Sequence, residues 1–402
     1  MAAHSQRFLH PDSGWILLLL AALVSLGPLS IDMYLPAMPV MRESLDTSTA
    51  NVQLTLSAYL AGFAVFHLVC GPLADRFGRK PVLLGGAIIF VVACIGCSLS
   101  TTVEQLIAFR LLQGVGACTG PTLGRAITRD LFGPRRAARA LSLIAMLMAL
   151  APAVAPTLGS AMLLVLPWPS IFVFLAAYGL LIALLVQRLL PESLPQRQSL
   201  HPAVIGRNFA MLLRSGPFMT VALGSSLLYA GLMAYLASSG FVYIDMLGVP
   251  LQYFGLIFLT TVMGYIIGSA TSARLAGRLE SHQVVILGAL LATAGCLLML
   301  GGSSLWPESV LALMLPMMVF SASLGLILPH AMTLALQPYP HMAATASALL
   351  GFIQMGVSAT ASAAVGGILG NSPAPMVWSM TALSLLGLLL LLRVRRGADA
   401  AT

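Results

Sequence analysis

Pro191-Glu-Ser-Leu-Pro195-Gln-Arg-Gln-Ser-Leu200-His-Pro-Ala-Val-Ile205-Gly-Arg-Asn-Phe-Ala210-Met-Leu-Leu-Arg214-Ser-Gly216 is the longest polar interruption in a chain of 402 residues that is otherwise a succession of apolar runs. Six runs precede it, at 15–38, 49–70, 81–99, 103–126, 139–163 and 168–190. Six follow it, at 217–244, 250–273, 283–303, 308–334, 342–370 and 374–392. Each has the roughly 20 residues that an α-helix needs to cross a hydrocarbon core about 30 Å thick. The stretch therefore divides the chain into two units, 1–190 and 217–402, joined by a linker at 191–216. The fold expected is an all-α membrane protein of twelve transmembrane helices in two six-helix bundles.

Composition requires a membrane for the same reason. Hydrophobic residues make up 59% of the chain and charged residues 8%, against about 25% charged in a typical soluble domain. A mean hydropathy of +0.96 agrees. The 37 glycines and 24 prolines do not signal disorder, because both are frequent in membrane helices. The first run is too long for the core of a signal peptide and reads as an uncleaved first span.

The net charge of +8 would suggest nucleic acid in a soluble protein. Here its distribution carries the meaning. With the N-terminus placed in the cytoplasm, 17 Lys and Arg residues fall in cytoplasmic segments, and only Arg42 falls outside. Such a bias fixes orientation, with both termini cytoplasmic in the inner (plasma) membrane and contact with anionic lipid as a by-product. No nucleic-acid partner is expected.

The five cysteines (Cys70, Cys94, Cys97, Cys118, Cys296) lie in apolar runs and read as packed thiols. No metal site or cofactor is expected, since Cys94 and Cys97 lack the other ligands of a zinc centre. HExxH, GxSxG and P-loop patterns are missing, as are paired intramembrane acids, which argues against an enzyme or an ATP-driven pump. The halves echo one another faintly. Gly71 to Arg79 follows the second run and Ala270 to Arg278 the eighth, with their Gly-Arg pairs 199 residues apart. Twofold repetition of this kind is typical of secondary transporters, which bind substrate between the halves at mid-membrane.

An ionisable group in hydrocarbon requires a partner or a function. Asp32 is the only acid well inside a span, six residues and about 9 Å from the outer end at Met38. Arg110 lies seven residues and about 10 Å below Val103, so two opposite charges sit at matching depth. Water access and distance to a cation set the protonation of such a carboxylate. Asp32 is expected to bind a proton and then substrate or Arg110 in alternation, with Arg110 holding its charge state; the plainer reading is a structural ion pair.

Gln113, on the same helical face as Arg110, offers a neutral donor and acceptor to a polar substrate. Gly116, Gly120 and Gly124 form a separate stripe suited to close helix contact. Pro152 and Pro156 predict a kinked span, either a hinge or a static bend. Tyr235, Ser238 and Ser239 form a stripe that either lines the second-half wall of a site or packs helices.

Three stretches carry a resemblance to a known group. Gly71-Pro-Leu-Ala-Asp75-Arg76-Phe-Gly78-Arg79-Lys80-Pro81 resembles the signature loop of the major facilitator superfamily. Arg110-Leu-Leu-Gln113-Gly-Val-Gly116-Ala and Ala151-Pro152-Ala-Val-Ala-Pro156-Thr-Leu-Gly159 resemble the second motif and the antiporter motif of its twelve-span drug:proton antiporter branch. Pro28-Leu-Ser-Ile-Asp32-Met-Tyr-Leu-Pro36-Ala-Met-Pro39, Arg125-Ala-Ile-Thr-Arg129-Asp130, Phe241-Val-Tyr-Ile244 and Pro340 to Leu349 narrow it to the bicyclomycin/chloramphenicol resistance (Bcr/CflA) family.

The resemblance implies two bundles around a central cavity, and a monomeric carrier that exports small amphiphilic drugs such as phenicols or bicyclomycin in exchange for protons. The candidate substrate contacts, read from depth and helical face, are Asp32, Arg110, Gln113, Tyr235, Ser238 and Ser239. It also implies gating by Gly71, Asp75, Arg76, Gly78 and Arg79 with Arg125, Arg129 and Asp130, and a seal at Pro152, Pro156 and Gly159. Two positions depart from the pattern: Ser160 follows Gly159 where the motif ends Gly-Gly, and Arg274 stands where the first half has Asp75. Export of a metabolite such as a short peptide or amino acid is the alternative. A channel or membrane sensor leaves the signature loop, the antiporter motif and the single buried acid unexplained together.

Overall fold

The computed structural model describes residues 14–194 and 202–394. Of the basic residues used above, Arg7, Arg197, Arg395 and Arg396 lie outside the described residues, as do the side chains of Arg135, Arg136 and Arg139. The described chain is helical, without strands. In order it runs α1 (Gly14–Val24), α2 (Leu26–Asp32), α3 (Met38–Ser44), α4 (Thr49–Phe77), α5 (Arg79–Ser98), α6 (Val103–Leu163) and α7 (Pro169–Leu189). It continues through α8 (Pro202–Arg214), α9 (Gly216–Gly240), α10 (Leu251–Leu275), α11 (Ser281–Leu305), α12 (Val310–Leu336), α13 (Ala343–Ile368) and α14 (Ala374–Leu391). Among the described residues nine helices are long and apolar enough to cross a bilayer, ten if the bent first segment is one span.

The first segment shows how sequence sets shape. Proline has no N–H to offer the carbonyl four residues earlier, so Pro28 and Pro36 leave Val24 and Asp32 without helical donors. Helices α1 and α2 end at those two residues, and the segment bends by 41° at the first break. Beyond Asp32 a 3-10 turn, Leu35–Ala37, leads into α3, so helix continues to Ser44, past the expected end at residue 38.

Helix α6 departs further from expectation, because the polar gap between the fourth and fifth runs is itself helical. A straight helix would carry Gly159 about 58 Å from Gly120 at 1.5 Å per residue. Yet Gly120 meets the backbone of Leu23 and Gly159 that of Met33, only ten residues apart. The element must therefore double back, with its two limbs flanking the first segment.

Side chains at the helix starts satisfy the free N–H groups there: Ser48, Thr102 and Ser215 accept from Asn51, Gln105 and Phe218, and Glu280 pairs with Gln283 in a capping box. Backbones approach closely where both residues are small. Gly62 of α4 and Gly114 of α6 each meet the other helix's main chain, and Gly268 of α10 and Gly325 of α12 repeat the crossing in the second half. The weak sequence echo has a backbone counterpart. Gly78 and Gly277 both adopt positive φ, +107° and +88°, where a side chain would be strained.

Outward faces are apolar: Ile88, Val92, Leu181, Leu184, Leu298 and Leu389 are about half exposed. Continuous apolar surface of this kind is the mark of contact with lipid, and the protein is a multi-pass membrane protein. Part of the linker is also structured. Helix α8 buries Leu212 and packs Phe209 against the core, while Arg207 and Arg214 face away.

Candidate functional site

Asp32 is the last residue of α2, with 4% of its surface exposed, and among the described residues its carboxylate has no hydrogen-bond or ion-pair partner. It lies within electrostatic reach of Tyr229 of α9 in the other half, as does Tyr265 of α10. Neither tyrosine was singled out from the sequence; a spacing argument cannot see residues brought together from three separate helices.

Arg110 has no exposed surface. Its guanidinium carbon lies 4.4 Å from the ring centre of Tyr34 and 4.5 Å from that of Tyr59, with Phe172 at 5.9 Å. Nη1 donates to the Ser30 carbonyl at 3.1 Å and to Gln113 Oε1 at 2.6 Å, while Nε and Nη2 have no partner. The Gln113 amide donates to Cys94 Sγ at 3.0 Å. Two rings hold their own positions by hydrogen bonds, Tyr34 with Thr55 and Tyr59 with the Gly27 carbonyl. Cation–π contact, rather than an opposing acid, compensates this buried charge.

Asp32 and Arg110 do not meet in this state. The bond to Ser30 places the two groups at the same depth, but no ion pair within 4 Å joins them. Tyr34 lies between the break after Asp32 and the guanidinium, so the turn that ends α2 directs the ring and the carboxylate into different surroundings. Gln113, with both polar ends engaged inside the first half, is part of the aromatic box.

The fold is shared with known proteins. The model described as Major Facilitator Superfamily matches residues 18–363. The chain belongs to the Major Facilitator Superfamily. It is 35% identical, over 87% of both chains, to a protein of Bacillus subtilis named as an uncharacterized MFS-type transporter, YdgK. It is 30% identical to a bicyclomycin resistance protein homolog of Haemophilus influenzae, covering 91% of this chain and 92% of that one. It is also 30% identical to a chloramphenicol resistance protein of Pseudomonas aeruginosa, over 83% and 79%. A nucleoside transporter, NupG, shares the fold with a TM-score of 0.78 at 15% identity, covering 95% of this chain and all of that one.

In this superfamily member the signature loop forms a network within the first half. Arg79 pairs with Asp75 at 2.7 Å and with Asp130 at 3.4 Å, and Ser193 also donates to Asp130. Glu192, which sequence reading left in the linker, accepts from the backbone N–H of Arg79 and Lys80 and so caps α5. A side chain at Gly78 would collide with that carboxylate. Gly71 faces open space, and Arg76 lies over Phe77. Among the described residues no ion pair here reaches the second half, and Arg274, standing in for Asp75, builds no counterpart.

Helix α6 stays helical through Pro152 and Pro156, and the missing side chain of Gly159 lets its backbone reach the Met33 carbonyl beside Asp32. Tyr235 is fully buried and donates to Tyr243, Ser239 bonds its own helix, and Ser238 is buried without a partner. That stripe lies about two to three helical turns from Tyr229, in the part of α9 that packs on the first segment, where Gly240 meets Leu35. Arg42 and Asp245 join the halves at 3.0 Å beside it, with Phe241 under the arginine. At the opposite end the halves part around a cavity of about 690 Å³, lined by Arg125, Arg129, the signature loop, α8 and the start of α13. All five cysteines are free and buried.

Proposed function

We propose that this transporter exports small amphiphilic drugs, of the phenicol or bicyclomycin kind, in exchange for protons by alternating access. The observation that carries the reading is Asp32: a buried carboxylate without a partner, at the break of its helix, within electrostatic reach of Tyr229 of the other half. Such a group binds a proton in one access state and exchanges it for substrate or for water in the other. Arg110, locked in its box and bonded to the carbonyl of Ser30, two residues before the acid, supplies a fixed positive field without neutralising it. The relatives named for bicyclomycin and chloramphenicol resistance support the substrate class.

In this reading the molecule is a monomer of twelve crossings with both termini cytoplasmic, the two limbs of α6 providing the fourth and fifth. The contacts at Arg42–Asp245 and Leu35–Gly240 close the outer side, and the 690 Å³ cavity opens to the cytoplasm. Asp75, Arg79 and Asp130 hold the inner ends of one half as a unit while that half tilts. Everted vesicles carrying the Asp32→Asn protein test it. Chloramphenicol uptake driven by an imposed pH gradient should be lost, while downhill chloramphenicol exchange without a gradient persists. Full gradient-driven uptake in the variant would refute proton coupling at this residue.

A further inference from the structure

The inner cavity has two unlike walls. The first half contributes Arg79, Arg125 and Arg129 against a single acid, Asp75. That acid is already held by Arg79, which also engages Asp130. Arg125 spends one N–H on the Pro121 carbonyl of its own helix, and Arg129 makes no hydrogen bond or ion pair among the described residues. Both are exposed, and their guanidinium groups lie within electrostatic reach of each other. His67, 7% exposed at the roof of the cavity, has an Nδ1 with no partner. The opposing wall, from α8, the end of α12 and α13, carries no carboxylate or arginine among the described residues and mixes apolar Phe209, Leu336, Ala344 and Ala348 with neutral polar Asn208, Thr345 and Ser347 and with His341.

Two like charges facing a cavity without a counter-ion are held at a cost that an anion would relieve, and low-dielectric walls focus their field. Guanidinium forks match carboxylate and phosphate oxygens. The volume suits a drug-sized molecule. We propose that this cavity is a binding site for the oxyanion head of an amphiphile, the head on Arg125 and Arg129 and the apolar body on the α8–α13 wall. The inference rests on the inward-open reading above and goes beyond it: beside the neutral drugs of that reading, the cavity takes anionic amphiphiles and disfavours cations.

The test uses the purified full-length protein in phosphatidylcholine nanodiscs, with no pH gradient. Titration calorimetry compares 2-naphthoate, its neutral amide, and 2-naphthylmethylammonium. Naphthoate should bind about tenfold tighter than the amide, as one charge-assisted contact gives, with the ammonium weakest. The difference should shrink as salt is raised. Arg125→Gln/Arg129→Gln should abolish the preference, and Arg125→Lys/Arg129→Lys should keep it in part. Equal binding of the three probes, or tighter binding of the ammonium, overturns the proposal on the wild-type protein alone. So does a preference that survives in the folded glutamine variant.

Two further arms assign the source of the oxyanion. Competition by phosphatidylglycerol in the disc marks a lipid headgroup, competition by inorganic phosphate in a pure phosphatidylcholine disc marks free phosphate, and competition by neither marks a solute. Binding is read without a gradient, so a failure of proton coupling at Asp32 would leave this result intact, and equal probe binding would leave proton-driven efflux intact.

Discussion

A guanidinium with no exposed surface has to replace the water it has lost, and at Arg110 two tyrosine rings, a carbonyl and an amide do so. Lysine at this position would keep the charge but not the planar fork that sits between rings and donates to two acceptors. Arg110→Lys should therefore fold and lose transport by roughly ten- to a hundredfold, the equivalent of about 1.5–3 kcal/mol for a charge-assisted bond. Initial rates of chloramphenicol uptake into everted vesicles, normalised to transporter content, measure it. The depth of Asp32 and Arg110 was legible from residue counting, because helical rise is fixed. Their separation was not, because Tyr34, Tyr59 and Phe172 come from three different elements and no spacing within one of them announces a box. Tyr229 and Tyr265 were hidden for the same reason.

Among the elements, the second limb of α6 reaches the backbone next to the acid. A methyl group at Gly159 would press on the Met33 carbonyl, so Gly159→Ala should push the limb from the first segment and destabilise the fold by roughly 1–3 kcal/mol. The adjacent Ser160 is buried with an unpartnered hydroxyl. Removing an unsatisfied buried hydroxyl relieves a desolvation cost, so Ser160→Ala should be neutral or stabilise by about 1 kcal/mol. The thermal unfolding midpoint in one detergent should fall for Gly159→Ala and hold or rise for Ser160→Ala; a fall in both would show that the limb tolerates no change here. The first segment read as one unbroken span, although Pro28 and Pro36 each mark a helix end four residues earlier. The helical gap between the limbs and the helix α8 escaped notice because Arg207, Arg214 and their neighbours read as polar interruption. The periodic Phe209 and Leu212 that bind α8 to the core are too few to stand out.

For the whole molecule, the balance between access states depends on which end holds the halves together. Arg42 and Asp245, about one-third and one-quarter exposed, bridge them at one end only. A partly exposed pair of this kind contributes about 1 kcal/mol, so Asp245→Asn should shift the populations about fivefold toward the outward-open state. Spin labels at Val165 and Leu305, both well exposed, should report a larger share of long distances in the variant. The Arg42→Asp/Asp245→Arg exchange should restore the original distribution. Matching φ at Gly78 and Gly277 shows that the two bundles share a backbone plan, whereas Asp75 and Arg274 show that their chemistry has diverged.

The burial of all five thiols has a practical consequence. Membrane-impermeant maleimides find no native target in this state, so the unmodified protein is its own silent background. A single cysteine placed along the cavity or beside Asp245 becomes a clock for access from one side of the membrane, and each step of the cycle can be timed in a chain that still contains its native Cys94–Gln113 contact.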